Sequence, residues 1–564
     1  MTDPSAHGLG RTGGATRDAV RVVFLGGVGE IGRNMLVLEA ANRTLAVDCG
    51  LSFPNEEMLG VDLVLPDFRY VTERPEACEG VVLTHGHEDH IGALAWFLRE
   101  APVPVYGTPL TLGLARRRLA EFEVDADLRP IAAPGGLTLG PFECTFIAVS
   151  HSIPDAVSVV VDTSAGRILY TSDFKLDDTP VDGRRTDIEA FARVGAQGVD
   201  LMLSDSTNAE RAGRTPSESL VGETLKDIFG RAPRRVVVAC FASNLHRIQQ
   251  LCEAAENCGR KVAFVGRSMV ANVEVGRELG HLRVAGDTIV DIERIDDHPP
   301  ERTVIVCTGS QGEPLSALSL IAAGEHKWVH IEAGDVVILS ASPIPGNEAA
   351  VHRVINSLYR AGAVVHHSES STVHVSGHAA AEELRELTAL VRPRHFVPVH
   401  GEYRQLALHA VIARSAGIPD HAITIVEDGD VLELDAGKVQ RADPVAAGTV
   451  LVDGLGVGDV GPVVLRDRRL LAGDGFLLCV VTIDSQSGEV LAGPDLISRG
   501  FVRVDEARGL LDAATERVVD ALEDLDEGIT EWSTIKKACR RALGEFIWSE
   551  TRRRPMIVPV IMEV

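Results

Sequence analysis

The sequence predicts an α/β protein made of several domains. Short apolar strands crowd residues 20–220, strands and helices alternate regularly over 221–365, and two amphipathic helices with a final strand occupy 463–564. A chain of 564 residues is long enough for two to four domains, each with its own core.

The first stretch mixes strands such as "VRVVFL", "NMLVLEA" and "GVVLT" with helical segments such as "TPLTLGLARRRLAEF". Its glycine motif "GVGEIG" (27–32) matches a dinucleotide-binding fingerprint, but that fingerprint requires a following helix. Here "RNMLVLEA" follows, with the alternation of a strand. We therefore expect a glycine turn between two strands.

The second stretch alternates "RRVVVACFA" with "SNLHRIQQLCEAAE" and "KVAFVG" with "RSMVANVEVGREL", which predicts a second α/β domain with a parallel sheet. Strands and helices continue to 450, and the Gly-rich "VDGLGVGDVG" then predicts a linker. The polar residues 1–17 predict a disordered leader. In the tail, Leu511, Val518, Leu522 and Leu525 fall on one face of the first helix.

The composition narrows the function classes. A net charge of −26 argues against a broad basic surface, so any contact with nucleic acid would be local or made through bound cations. Nine scattered cysteines without a C-x-x-C pair favour a reducing compartment, and hence the cytoplasm, over a disulfide framework. No apolar run approaches the roughly 18 residues of a membrane span.

The segment "LTHGHEDHIG" (83–92) concentrates potential metal ligands. It follows the strand "GVVLT", so an extended backbone would project His85, His87 and Asp89 to one side, with His90 at the start of the next helix. The alternative is a solvated, histidine-rich loop. Four ligand-type side chains within six residues favour a metal site.

Other polar residues stand where apolar strands end: His151, Asp173, Asp205 and His400. Such ends can share one edge of an α/β sheet, so distant residues can meet in one cleft. The five histidines and two aspartates exceed one tetrahedral site and suit two cations that share a carboxylate. Imidazole ligands favour zinc, with manganese as an alternative, and such a centre can ionise a water that attacks an electrophile.

Several motifs carry a family resemblance. "HGHEDH", "SH" at 150–151, "SDF" at 172–174 and "PVHGE" at 398–402 resemble the metal motifs of metallo-β-lactamase-fold hydrolases. "SDSTNAE" and "HVSGHA" resemble the additional motifs of β-CASP nucleases. From about residue 20 to the C-terminus, "GGVGEIGRNM", "GRSM", "TGSQGEP", "IPGNE" and "RRRPMIVPVIMEV" resemble the bacterial ribonuclease J family.

The resemblance implies a domain plan. A discontinuous metallo-β-lactamase αββα sandwich would comprise 18–220 and 366–450, with an α/β β-CASP domain inserted at 221–365. The linker would be 451–462, and a small α/β C-terminal domain would occupy 463–564.

The resemblance also implies residue roles. One zinc ion would be bound by His85, His87 and His151, and a second by Asp89, His90 and His400, with Asp173 bridging them. Manganese or magnesium could replace zinc. Asp205 would be the general acid and His378 the general base or transition-state partner.

Two further sites follow from the same resemblance. The residues implied to hold substrate phosphate are Ser243, Asn244, Leu245, His374, Val375, Ser376, Gly377 and His378. Both segments place small polar residues at predicted strand-to-helix junctions, where free N–H groups attract phosphate, although Ser243 and Ser376 could simply be helix caps. An additional calcium or manganese ion would use Gly60, Asp62 and Asp453.

The implied activity is 5′→3′ exoribonuclease action that prefers a 5′-monophosphate, together with internal cleavage, in RNA maturation, rRNA processing and mRNA decay. Homodimers or homotetramers would form through the C-terminal domain, with other RNA-decay proteins as partners and no membrane association. The alternatives are a small-ester or thioester hydrolase, a β-CASP DNA nuclease, an mRNA 3′-end processing nuclease and a non-catalytic RNA-binding paralogue. The inserted domain and the "HVSGH" motif disfavour the ester hydrolase, and the C-terminal sequence disfavours the two other nucleases. The intact ligand set disfavours the non-catalytic paralogue.

Overall fold

The computed structural model describes residues 19–313, 315–344, 346–484, 489–503, 508–525 and 531–564. The predicted leader lies outside these ranges. The chain forms two compact units: the described part of Met1–Phe53 with Val64–Val450, and Pro54–Leu63 with Leu451–Val564. The finer boundaries at 220/221, 365/366 and 462/463 remain predictions from the sequence.

Strands dominate the chain before the inserted domain. The strands are β1 (Val20–Gly26), β2 (Val28–Gly29), β3 (Met35–Ala40), β4 (Arg43–Val47), β5 (Leu63–Pro66), β6 (Cys78–Val82), β7 (Val105–Gly107), β8 (Leu128–Pro130), β9 (Gly135–Leu139), β10 (Phe142–Ala148), β11 (Val157–Thr163), β12 (Gly166–Tyr170) and β13 (Leu201–Asp205). The helices are α1 (Arg69–Thr72), α2 (Glu88–Ile91), α3 (Leu94–Glu100), α4 (Pro109–Glu121), α5 (Ile188–Gln197) and α6 (Ser219–Arg231). The glycine motif forms a turn that begins with Gly27 at φ 85°, between β1 and β3, as predicted.

The inserted domain alternates strand and helix. Its elements are β14 (Val236–Ala239), α7 (Leu245–Asn257), β15 (Lys261–Val265), α8 (Arg267–Glu278), β16 (Thr303–Cys307), α9 (Ala317–Ala323), β17 (Val336–Leu339), α10 (Glu348–Arg360) and β18 (Val364–His366). The strands pair in parallel in the order β15-β16-β14-β17-β18, which confirms the predicted parallel sheet.

The chain then returns to the first part of the unit. It adds α11 (Ala381–Val391), β19 (His395–Val399), β20 (Gly401–Glu402), α12 (Tyr403–Ser415), β21 (Val431–Asp435) and β22 (Lys438–Ala442). The boundary between the units falls within β23 (Thr449–Asp453), and β24 (Gly456–Val457) belongs to the second unit. One sheet has the order β22-β21-β1-β3-β4-β6-β7-β8 and the other the order β19-β13-β12-β11-β10-β9.

The two sheets share an apolar core, which identifies the sandwich. Phe24 and Leu38 of one sheet belong to the same buried cluster as Phe142 and Val159 of the other. The outer face of the second sheet is covered by α5, α11 and α12, whose buried residues include Phe191 and Leu387. This is the αββα arrangement that the sequence predicts.

A buried arginine joins the inserted domain to the chain on both sides of it. Arg247, in the first turn of α7, donates from Nε to Glu218 Oε1 at 2.9 Å and from Nη1 to the carbonyl oxygen of Val373 at 2.7 Å. It also bonds Ser340, at the end of β17. Burying a guanidinium is costly unless its charge and its donors are satisfied, and these partners satisfy them.

The second unit contains α13 (Pro462–Asp474), β25 (Phe476–Ile483), β26 (Val490–Arg499), α14 (Arg508–Glu523), α15 (Trp532–Thr551) and β27 (Met556–Glu563). A three-stranded sheet of order β26-β25-β27 packs α14 and α15 against one face through Leu477, Cys479, Val518 and Leu543. The two tail helices and the final strand were predicted. The stretch predicted as a linker instead contains a short hairpin, in which Val452 pairs with Val457.

One local prediction was wrong. Asp89 does not continue the extended backbone of His85 and His87, because Glu88–Ile91 form a helical turn capped by His87. The turn brings Oδ2 of Asp89 to within 3.3 Å of Nε2 of His400, while the ring of His90 stays beside that of His85, with 4.0 Å between ring centres. None of the described helices is long and apolar enough to cross a membrane.

Candidate active site

Seven ligand-type side chains from four segments converge at one edge of the sandwich. His85, His87, Asp89 and His90 follow β6, His151 follows β10, Asp173 follows β12, and His400 follows β19. Their donor atoms form two groups in which all atoms lie within 4.8 Å of one another: His85, His87, His151 and Asp173, and Asp89, His90, Asp173 and His400. The structure thus brings together all the predicted zinc ligands.

The first group has the dimensions of a tetrahedral ligand shell. The Nε2 atoms of His85 and His151 each lie 3.1 Å from Nδ1 of His87, and lie 3.5 and 3.6 Å from Oδ2 of Asp173. Ligands about 2.1 Å from a tetrahedral zinc ion would be roughly 3.4 Å apart. The donor set and its spacing therefore fit a zinc-sized cation.

The second group uses the same carboxylate oxygen. Oδ2 of Asp173 lies 3.3 Å from Nε2 of His90, and Oδ2 of Asp89 lies 3.3 Å from Nε2 of His400 and 3.7 Å from Nε2 of His90. Asp173 is thus the one residue common to both groups, which is the position a bridging carboxylate would take.

The other ring nitrogen of each histidine already has a partner, which orients the ligating nitrogen inward. These partners are Thr84 for His85, Ser152 for His87, Gly377 for His151, Asp48 for His90 and Thr207 for His400. The backbone is left-handed at Asp48, Ser172 and His400, with φ of 62°, 51° and 53°, and such conformations collect at functional sites.

The ionisation of the histidines differs between the groups. Burial lowers the pKa of His85 and His151 well below the ordinary value and that of His87 to about 4, so these rings are neutral, as ligands must be. Burial also opposes charge on His90 and His400, but Asp173 and neighbouring carboxylates raise their pKa, that of His400 to about 10. A cation in the second group would therefore displace protons.

Asp205 and His378 form a hydrogen-bonded pair beside this cluster. Nδ1 of His378 lies 2.8 Å from Oδ2 of Asp205, while Oδ1 of Asp205 accepts from the backbone N and from Oγ1 of Thr207 at 2.9 and 2.8 Å. Burial would raise the pKa of Asp205, but the charge of His378 and the hydrogen bonds from His378 and His400 lower it below the ordinary value. The carboxylate in turn raises the pKa of His378 despite burial.

The chain next to the first predicted phosphate-binding segment contacts the chain next to the second, because Arg247, in the first turn of α7, donates to the carbonyl of Val373. Asn244, rather than Ser243, caps α7, with its side chain accepting from the N–H of Arg247, and Leu245 is fully buried. The segment 374–378 is not at a helix start, because α11 begins at Ala381.

Contacts of this second segment lead to the ligand cluster. Asn208 Nδ2 donates to Ser376 Oγ at 2.8 Å, and the carbonyl of Gly377 holds His151. Val375 is buried. Nδ1 of His374 is buried without a hydrogen-bond partner within the described ranges, and burial together with the charges of Arg247, Arg211 and Lys175 lowers its pKa to about 3. An anion would satisfy this free nitrogen.

The predicted third-cation site, in the second unit, has a different arrangement from the one expected. The guanidinium of Arg468 pairs with Asp453 and donates to the carbonyl of Leu59 at 2.8 Å, and it faces Gly60. Asp62 accepts from the N–H of Gly454 at 2.8 Å. The residues present do not fit a further cation here, because Arg468 already supplies the positive charge.

Sequence reasoning missed the residues that orient the ligands. Asp48 is fully buried, accepts from Thr84 N at 2.8 Å and bonds His90, and Asn34 donates to the carbonyl of Asp89 at 3.0 Å. Asp48 carried a visible signal, since it ends the apolar segment "RTLAVD" just as Asp173 ends "RILYTSD".

Comparison with known proteins agrees with this geometry. Family models match for the metallo-β-lactamase superfamily (28–212), the ribonuclease J β-CASP domain (233–358), the RNA specificity domain of Zn-dependent metallo-hydrolases (367–422) and the ribonuclease J C-terminal domain (463–564). A crystal structure of a protein of unknown function from Enterococcus faecalis V583 shares the fold, with a TM-score of 0.53 and 15% identity over 75% of this chain and 100% of its own.

Curated relatives match almost from end to end. Ribonuclease J2 of Bacillus subtilis is 43% identical over 97% of this chain and 99% of its own length. Ribonuclease J of Mycobacterium tuberculosis is 46% identical over 98% of this chain and 99% of its own. Ribonuclease J of Mycolicibacterium smegmatis is 44% identical over 97% of both. The chain therefore belongs to the ribonuclease J family and is a metal-dependent ribonuclease.

Proposed function

We propose that this ribonuclease degrades RNA in the 5′→3′ direction from a 5′-monophosphate and also cuts RNA internally. The observation that supports the proposal is that three features lie next to one another. They are the two groups of metal-ligand side chains, the Asp205–His378 pair beside them, and the segment 374–378, in which Nδ1 of His374 is free to contact an anion. The physiological setting we propose is rRNA processing and mRNA decay.

We assign one cation to His85, His87 and His151, a second to Asp89, His90 and His400, and the bridge to Asp173. Zinc suits this set of imidazoles and carboxylates, and manganese or magnesium are the alternatives. When bound, two such cations lower the pKa of a water and offset negative charge on a phosphodiester. The chain contributes a rigid frame, because every histidine is fixed through its outer nitrogen.

The Asp205–His378 pair would handle a proton. The hydrogen bonds that Asp205 accepts from His378 and Thr207 favour its ionised form, so we place the transferable proton on His378. Asp205 then has the role of holding and orienting the ring. This differs from the expectation that Asp205 itself is the acid. Nε2 of His378 is the atom that would donate to the leaving oxygen or to the phosphate.

The directional activity depends on how the 5′ end is held. We propose that Ser243, Asn244 and Leu245, with the 374–378 segment, receive the terminal phosphate. His374 and the nearby exposed cation Arg211 would attract a doubly charged monophosphate more strongly than a neutral hydroxyl.

We further propose a homodimer or homotetramer assembled through the C-terminal domain, association with other RNA-decay proteins, and a cytoplasmic location. The nine cysteines support the location, because all are free and eight are buried.

The decisive experiment compares one RNA sequence with a 5′-monophosphate, a 5′-hydroxyl and a 5′-triphosphate, with the matching DNA as a fourth substrate. We expect the monophosphate to be degraded fastest, with mononucleotides released from the first time points. Asp173→Ala should abolish turnover and lower the content of bound metal, while Asp178→Ala, an exposed neighbour, should do neither. Equal rates for all three RNA ends would contradict the directional proposal, and full activity of Asp173→Ala would contradict the mechanism.

A further inference from the structure

The second unit contains a cavity that the proposed chemistry does not use. It has a volume of about 720 Å³ and lies between α13, α15 and the start of β27. This volume falls within the range of roughly 300–1,000 Å³ that is usual for sites of small organic groups. Ile557 and Val558 give it an apolar wall, and Leu470, which is 41% exposed, faces it from α13.

Positive charge dominates this cavity although the chain as a whole carries −26. The arginines that line it are Arg466, Arg540, Arg553 and Arg554, against two acidic residues, Asp467 and Glu545. Arg540 is exposed and has no ion-pair partner in the part of the chain that the structure describes. Arg466 has only a 3.3 Å contact with the adjacent Asp467, an exposed pair of little energetic weight.

A tryptophan stands among these arginines. The ring of Trp548 is 37% exposed, and the guanidinium carbon of Arg554 lies 4.4 Å from its centre, while that of Arg552 lies 5.6 Å away. Arg553 is fixed by donation to the carbonyl of Phe501 at 3.0 Å. An aromatic face beside ordered guanidinium groups is the combination that binds single-stranded nucleic acid, because bases stack on the ring and phosphates contact the cations.

We infer that this cavity, formed around Trp548 and Arg540, binds single-stranded RNA away from the catalytic centre. The inference rests on RNA being the substrate of the enzyme. Charge complementarity indicates the occupant. In a chain with a net charge of −26, an arginine without an ion-pair partner beside a partly exposed indole is a local position where a phosphate and a base can both be held. The site would retain long transcripts without taking part in the cleavage step.

The test measures RNA binding and cleavage separately. All binding variants are made in the full chain carrying Asp173→Ala, so that a 24-nucleotide RNA labelled at its 3′ end stays intact, and Kd is followed by fluorescence anisotropy from 50 to 300 mM KCl. Arg540→Gln should raise Kd severalfold and reduce the slope of log Kd against log salt by about 0.7, the value for one lost phosphate contact to a single strand. Trp548→Leu should raise Kd about fivefold to tenfold without changing that slope, because stacking is uncharged, and Trp548→Phe should restore most of the affinity.

The matched control is Arg517→Gln in α14, an equally exposed arginine of the same unit outside the cavity, which should change neither quantity. In the active chain, Trp548→Leu should raise the KM for the 24-mer and leave the turnover of a tetranucleotide unchanged. Unchanged Kd and slope in Trp548→Leu with Arg540→Gln would overturn the inference. Light scattering would also be measured on these variants. If they have a lower oligomer mass and this fully accounts for their weaker binding, the inference is overturned, because the surface then contacts a second copy of the chain and not RNA. Failure of the parent to bind RNA at all would instead overturn the proposed function.

Discussion

Nδ1 of His90 lies 2.8 Å from Oδ2 of Asp48, and both side chains are fully buried. Asp48 also accepts from the N–H and the hydroxyl of Thr84, whose Oγ1 is in turn 3.1 Å from Nδ1 of His85. One carboxylate, which is not itself placed to hold a cation, therefore orients a histidine from each of the two ligand groups.

We expect Asp48→Asn to lower the affinity for metal about tenfold to a hundredfold, the usual effect of losing the residue that orients a ligating histidine. The loss should be largest for the second cation, because His90 contacts Asp48 directly. Metal titration followed by elemental analysis after dialysis would measure it. Asp162→Asn, a surface acid paired with Arg167, is the control, and an equal effect in both variants would show that the loss is nonspecific.

His378→Ala should reduce kcat about a hundredfold to ten-thousandfold, which is the usual contribution of a positioned acid or base, while the metal content stays unchanged. His378 also lies in a third group of possible ligands, with Asp173, Asp205 and His400. Loss of a metal ion from His378→Ala would therefore move this histidine into the ligand set. His352→Ala, at an exposed histidine, should affect neither quantity.

The carboxylates of Glu30 and Asp428 share Arg33, whose Nη2 lies 2.5 and 3.1 Å from them. Burial, together with the charge of Glu30, raises the pKa of Asp428 to about 7. An unfolded aspartate ionises near pH 4, so between about pH 4 and pH 7 the unfolded chain loses a proton that the folded chain keeps. Stability contributed by this group is therefore complete at low pH and is lost as the pH rises to 7.

Asp428→Asn should remove this part of the pH dependence. Its stability relative to the wild type should therefore rise by about 4 kcal/mol between pH 4 and pH 8, because one pKa unit corresponds to about 1.4 kcal/mol. Thermal unfolding at pH 5, 6, 7 and 8 would show the two melting curves diverging as pH increases. The exposed Asp443→Asn should follow the wild type throughout. A constant offset between Asp428→Asn and wild type would contradict the assignment.

Arg468 predicts the behaviour of the second unit toward calcium. In the wild type the guanidinium of Arg468 pairs with Asp453. We therefore expect no calcium to bind at Gly60, Asp62 and Asp453 at calcium concentrations up to about 1 mM. Arg468→Gln should create a weak site with a Kd of about 0.1–1 mM, in the range of extracellular calcium modules. Terbium luminescence would follow both proteins, and saturable binding by the wild type that Asp453→Asn removes would contradict the expectation.

The ligands at strand ends could be predicted, because an apolar run that stops at a histidine or an aspartate can be recognised in the sequence alone. His151, Asp173 and His400 were found in this way. The helical turn at Glu88–Ile91 was not, since four residues are too few to show a period, and it moves Asp89 into the second group. The Asp48–His90 and Arg468–Asp453 contacts join segments whose pairing depends on the folded backbone, which no local pattern encodes.

Arg247 has a practical meaning for modular engineering. It connects Glu218, just before the chain leaves the sandwich, with Val373, just after it returns. If residues 221–365 were excised alone, Arg247 would go with the excised domain, while two of its acceptors, Glu218 and Val373, would remain in the other fragment. A chimera that takes the whole of 218–373 from one homologue would keep Arg247 together with Glu218 and Val373. Junctions between homologues should therefore lie before Glu218 and after Val373.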